Sequence, residues 1–107
     1  VESESGITCD SILFTFKKIS IGYDSIISWG VYISDSTQHK INGVVKISEV
    51  FIDDKVWISE GVTCGPGTII GSGSVVGAKS FVSKNHPKDS LVAGSPAKTI
   101  KNITWSR

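Results

Sequence analysis

From Ile52 to Val82 every sixth residue is apolar and of small to medium size: Ile52, Ile58, Cys64, Ile70, Val76 and Val82. The residue after each is small or polar: Asp53, Ser59, Gly65, Gly71, Gly77 and Ser83. Four places after the first five stand Val56, Val62, Thr68, Ser74 and Ser80. A period of six fits neither an α-helix, at about 3.6 residues per turn, nor a strand that alternates every two. It predicts a hexapeptide-repeat parallel β-helix, in which each hexad makes one short strand and one corner. About three hexads complete a turn of a triangular prism, and coils stack at the usual strand spacing of ~4.8 Å. Inward Ile and Val suit strands because β-branched side chains pack well on a pleated surface. Glycine just after the inward residue is expected to free the backbone for the corner.

The pattern recurs upstream. Ile21, Ile27 and Ile33 are again six apart, followed by Gly22, Ser28 and Ser34. Stepping back by sixes reaches Thr15 and Cys9, with Ile19 and Leu13 at the secondary inward places. That stretch keeps the pattern less well and reads as a capping coil. The two blocks are out of phase: Ile33 to Ile52 is 19 residues, one more than three hexads. The slip predicts a loop over residues 34–45, seeded by the polar run Ser34-Asp35-Ser36-Thr37-Gln38-His39-Lys40. Loops on a rigid scaffold are where function concentrates.

Beyond Lys84 the period stops. Residues 85–90 read as a turn around Pro87, and residues 91–94 as a short return strand. Ser95 followed by Pro96 has the form of a helix N-cap and first helical residue, so a short helix over residues 95–102 is expected to plug the open end. The whole is one all-β domain over residues 1–107, with a repeat core over about 19–84 and a cap over 85–107. The chain contains no Met, and is expected to be a processed product or a piece of a longer protein.

Composition adds exclusions. A net charge of +1 gives no field to recruit nucleic acid. No apolar run reaches the ~18 residues of a membrane span, and no charged-then-apolar leader is visible. The two cysteines, Cys9 and Cys64, lack metal-ligand spacing, so no metal is expected. Cys64 falls at an inward place and reads as a buried free thiol, which suits a reducing cytoplasm. The stretch Gly77-Ala78-Lys79-Ser80 imitates a phosphate loop, but Ala78 separates the glycine from the lysine and the period of six already explains the glycines. His86, before Pro87, reads as structural or exposed, and the sequon at Asn102 as chance.

Four segments in order carry a resemblance: Ile52-Asp53-Asp54-Lys55-Val56-Trp57-Ile58, Val76-Gly77-Ala78-Lys79-Ser80, Val82-Ser83-Lys84, and Ala93-Gly94-Ser95-Pro96-Ala97-Lys98. With the hexads around them, from about Ile19 to Lys101, they resemble the left-handed β-helix acyltransferases, in particular the sugar and xenobiotic O-acetyltransferases. The resemblance implies left-handed coils, a homotrimer, and acetyl-CoA as co-substrate. It implies that His39 is the general base, although Thr37 and Gln38 stand where the family usually has Asp and Ser or Gly. Asp35 is the candidate to orient the imidazole. The pantetheine arm is expected past Trp57, Ser59 and Ala78, with an oxyanion donor near Ser59 or on a neighbouring subunit. The nucleotide end is expected at Ser83, Lys84, Lys98 and Lys101, where lysine acts as a point charge on phosphate. Trp29 is the candidate to stack on an acceptor sugar.

The implied reaction is transfer of acetyl to a hydroxyl of a sugar or surface glycan. A histidine can take the proton of that hydroxyl as it attacks the thioester. Two other readings stay open: acetylation of an amine on an amino-sugar or of serine, and an inactive β-helix used for trimerisation.

Overall fold

The computed structural model describes residues 5–7 and 11–106, which form fourteen strands and no helix. Cys9, the furthest reach of the upstream pattern, lies outside the described residues. The strands make the three faces of a prism. The first face stacks β1 (Gly6–Ile7), β4 (Ile26–Ile27), β7 (Trp57–Ile58), β10 (Val75–Val76) and β13 (Ser90–Gly94), with β14 (Ala97–Asn102) at its edge. The second stacks β2 (Ile12–Phe14), β5 (Tyr32–Ser34), β8 (Thr63–Cys64) and β11 (Phe81–Val82). The third stacks β3 (Ile19–Ile21), β6 (Val50–Ile52), β9 (Ile69–Ile70) and β12 (Asn85–His86). Neighbours pair in parallel, apart from β13 with β14.

Inside the prism the hexad residues stack in three ladders. Ile27, Ile58, Val76 and Val92 line the first face; Ile33, Cys64 and Val82 the second; Ile21, Ile52 and Ile70 the third. All are at most 1% exposed. Such burial is worth roughly 1.5–3 kcal/mol for each large aliphatic side chain, and it drives the coil. The secondary inward places carry hydroxyls that tie coils together. Ser25 Oγ donates to Asp53 O (2.9 Å) and accepts from Val56 N (3.1 Å). Ser74 does the same with Pro87 O and Ser90 N. Buried hydroxyls satisfied in this way are not a burden to the fold.

The corners work differently from expectation. Left-handed backbone falls three residues after the inward one, at Asp24, Lys55, Gly73 and Asp89 on one corner and at Gly30, Gly61 and Lys79 on another. For a lone non-glycine residue this costs about 1–2 kcal/mol, and the coils hold it with bonds such as Lys79 N to Glu60 O (2.9 Å). Two of the glycines directly after inward residues, Gly22 and Gly71, have another purpose, which is clearance. A Cβ on Gly22 would run into the Asp53 backbone, and one on Gly71 into that of Pro87 and Lys88.

Further sequence expectations are corrected. First, the slip after Ile33 is not one residue. Ile21 pairs with Ile52, 31 residues on, where Ile52 pairs with Ile70, 18 on. The excursion therefore adds 13 residues, and counting by sixes does not separate 13 from one. Second, the upstream ladder does not run through Thr15. Leu13 pairs with Ile33 and Ile7 with Ile27, each 20 residues on, so the corner at residues 15–18 is two residues longer than a regular one.

Third, residues 95–102 form no helix. Ser95 and Pro96 make a tight turn with a cis peptide bond, and β14 returns antiparallel on β13. A short isolated helix is marginal in water, whereas a strand here covers an open sheet edge and uses the β-branched Thr99 and Ile100. The turn expected at residues 85–90 also begins late, because β12 continues the third face and places His86 on Ile70. His86 is 5% exposed, which makes it structural.

Candidate active site

Two features stand out, on different corners of the prism. The first is the excursion between β5 and β6, on the corner joining the second and third faces. Its base is locked. Asp35 is fully buried, and its carboxylate accepts from Phe16 N (2.8 Å), Lys17 N (2.7 Å), Lys18 N (2.7 Å) and Thr15 Oγ1 (3.0 Å). Burial alone would raise its pKa; the bonds from Phe16, Lys17, Thr15 and Lys18 outweigh burial and hold the carboxyl below its ordinary value. Ser48 N donates to Asp35 O (2.9 Å), and Gly67 N on the next coil donates to Ser48 O (3.1 Å). Asp35 thus ties the base of the excursion to the longer corner beneath it. Both carboxylate oxygens are bonded to residues 15–18, and none of these contacts reaches His39.

Above this base the chain rises as a small hairpin. Bridges join Ser36 to Ile47 and Ile41 to Val44, and Thr37 N donates to Lys46 O (3.0 Å). Asn42 and Gly43 form the tip with φ of 51° and 79°, as a two-residue hairpin turn of Asn-Gly requires. His39 is exposed on the rising arm, where its carbonyl accepts from Thr37 Oγ1 (2.9 Å).

The second feature is a groove of about 450 Å³ along the corner joining the first and second faces. It is lined by Ser28, Trp29, Trp57, Ser59, Glu60 and Ala78. Stacking explains this gathering: β4, β7 and β10 are neighbours, so the residues at and just after their ends come level with one another. Trp29 and Trp57 are 62% and 39% exposed, so two indoles face open space. Trp57 Nε1 donates to Ser28 Oγ (3.2 Å). Ser59 and Ala78 are small, which opens the corner to close approach by a ligand. Trp29, Trp57, Ser59 and Ala78, all named from sequence, are thereby brought together. Ser28 and Glu60 were missed, since each occupies an ordinary corner place in its hexad.

The remaining candidates sit toward the far end. Ser83 follows β11, and Lys84, Lys98 and Lys101 are exposed, the last two on β14. Neither these nor His39 line the groove. Cys64 is a free, fully buried thiol whose pKa burial pushes up to about 12. Among the described residues no group of three His, Cys, Asp or Glu side chains is placed to hold a metal, and no helix is long and apolar enough to cross a membrane.

No family profile and no curated protein matches the chain. Solved structures do. The polySia-specific acetyltransferase NeuO is 32% identical over 96% of this chain and 48% of its own, with a TM-score of 0.90. The polysialic acid O-acetyltransferase OatWY is 28% identical over 96% of this chain and 60% of its own, with a TM-score of 0.76. A galactoside acetyltransferase in complex with coenzyme A is 27% identical over 90% of this chain and 56% of its own, with a TM-score of 0.74. The chain shares its fold with these hexapeptide-repeat acetyltransferases. Its coil is accordingly a left-handed parallel β-helix like theirs. It spans about half the length of NeuO, 48%.

Proposed function

We propose that this chain is the β-helix of an acetyl-CoA-dependent O-acetyltransferase whose acceptor is a hydroxyl on a sugar or glycan. The observation that carries the proposal is the corner groove lined by Trp29, Trp57, Ser59 and Ala78, on a fold that matches NeuO with a TM-score of 0.90. The groove suits an extended thioester arm: small residues admit it, an indole flanks it, and corner backbone supplies polar partners. Lys84, Lys98 and Lys101 are free to meet the phosphates beyond it. Trp29, the more open indole, offers a face on which a sugar ring can stack.

His39 is the general base in this proposal. It takes the proton of the acceptor hydroxyl as the oxygen attacks the thioester carbonyl, and the coenzyme leaves as its thiol once the tetrahedral intermediate collapses. A backbone N–H near Ser59 stabilises the oxyanion. His39 rises from the second corner and the groove lies along the first, which supports an assembly in which one copy brings its hairpin to another copy's groove. A homotrimer meets that need. The free Cys64 thiol is compatible with a cytoplasmic setting.

The test is acetyl transfer from acetyl-CoA to a panel of glycans, read by mass spectrometry of the product, for wild type and His39→Ala. Wild type is expected to add acetyl esters. The variant should bind acetyl-CoA normally and turn over ~10²-fold more slowly or worse. Near-normal turnover removes His39 from the mechanism, and an amide product would replace the hydroxyl acceptor with an amine.

A further inference from the structure

Residues 103–106 follow β14 and run back along the corner between the third and first faces. Ile103 N donates to Asp89 O (2.8 Å), and Trp105 Nε1 donates to Lys55 O (2.8 Å). Lys55, Gly73 and Asp89 are successive left-handed positions of that corner, so the tail, bonded to the first and the last, straps coils that stack on one another. The Trp105 ring lies 6.0 Å from that of Trp57, inclined at 46°. This is a favourable tilted geometry for an aromatic pair. Trp105 is half-buried and is not itself among the residues lining the groove.

Trp57 therefore has two restraints. Its Nε1 is held by Ser28 Oγ on the neighbouring coil, and its ring by Trp105. Ile26 and Val75 flank Trp57 on the sheet face, and the two restraints act on the indole beyond them. A groove wall that is already fixed spares a ligand the cost of ordering it, about 0.5–1.5 kcal/mol per immobilised side chain. We infer that Trp105 is a positioning residue, which braces Trp57 so that the groove wall is set before the acetyl-CoA arm enters. The ligand named here rests on the proposed function; the brace does not.

Two readouts separate these. The first needs no ligand: indole ¹⁵N relaxation of Trp57 in wild type, Trp105→Ala and Trp105→Phe. Trp57 should be ordered in wild type, mobile in Trp105→Ala, and restored in part by Trp105→Phe, which keeps a ring but loses the bond to Lys55 O. An equally ordered Trp57 in Trp105→Ala overturns the brace. The second readout is acetyl-CoA affinity. Trp105→Ala should weaken binding about three- to tenfold, as expected for losing one aromatic pair, and change kcat less than KM. Trp57→Ala should weaken it at least as much, and the double variant no further, because the two residues act as one unit. Additive losses would give Trp105 a separate structural role and overturn the inference. Wild type that binds no acetyl-CoA defeats the proposed function and the named ligand, while the relaxation result still decides the brace.

Discussion

The coils from β6 to β11 and the excursion between β5 and β6 are built by opposite rules. In the coils each inward residue is held by the one six before it in pattern and 18 before it in space, so every hexad repeats the same instruction. In the excursion nothing repeats. Its position rests on one buried carboxylate, four donors from a distant corner, and a single Asn-Gly turn. The coils make a stiff surface on which a groove arises by stacking; the excursion makes one exposed histidine. A scaffold made of many equivalent contacts tolerates a unique appendage, because losing the appendage breaks no ladder.

That contrast can be broken from either side. The largest effect is expected in the coils. Ile58→Ala removes a fully buried ladder member and should cost about 2–5 kcal/mol, read as a lower midpoint in denaturant unfolding. A loss well below 1 kcal/mol would mean that the ladder is not what holds the prism.

Next in size is the anchor. Asp35→Asn puts an amide where four donors converge and should cost about 1.5–3 kcal/mol. It should also remove an acid dependence. The folded Asp35 carboxyl is held below its ordinary value, so its stabilisation is complete above the unfolded pKa near ~3.9 and is lost as pH falls through the lower folded value. Wild type should therefore lose more stability than the variant on acidification below about pH 4. Parallel curves would remove Asp35 from the anchor.

A smaller effect is expected at the hairpin tip. Gly43→Ala places a Cβ at φ 79° and should cost about 1–2 kcal/mol of hairpin order. The loss should appear as faster amide exchange over residues 36–47, with the coils unchanged. Spread of the faster exchange into β5 and β6 would show that excursion and coil are one cooperative unit.

The smallest effect concerns the end of the third ladder, where His86 takes the place of an aliphatic residue. Its Nδ1 lies 2.8 Å from Thr99 Oγ1, and its buried Nε2 has no partner among the described residues. Burial, then the charge of Lys84, lowers its pKa. The unfolded chain thus binds this proton more readily than the folded one. The contribution is complete above the ordinary value near ~6.5 and declines as pH falls below it. His86→Leu should flatten the stability profile between there and the onset of the Asp35 transition. An unchanged profile would make His86 a neutral filler.

The legibility of the chain follows the same division. The ladder from Ile52 to Val82 was readable because each position is fixed by repetition. Trp57, Ser59 and Ala78, which resemblance named, and Trp29, named for its aromatic face, come together by the same stacking. The excursion's position was readable, but its length was not, since 13 extra residues and one extra residue leave the same phase. The anchoring of Asp35 was not readable, because its partners, residues 15–18, are adjacent only across a coil whose corner is itself irregular. Ser95 and Pro96 carried a helix signal that the open edge of β13 overrode. Nothing local marked Trp105, whose significance comes from meeting Lys55 and Trp57 in space.

The claim that joins the two regions is that the regular coils hold acetyl-CoA at the groove and leave the chemistry to the excursion. Ala78→Tyr tests it most directly, because Ala78 is exposed at the groove and a phenol there blocks the corner without entering a ladder. The measurement is acetyl-CoA affinity by calorimetry, with the melting temperature taken alongside. Saturable binding by wild type, and binding weaker by about tenfold or more in the variant at an unchanged melting temperature, is the predicted result. Equal affinity in the two proteins would contradict the account.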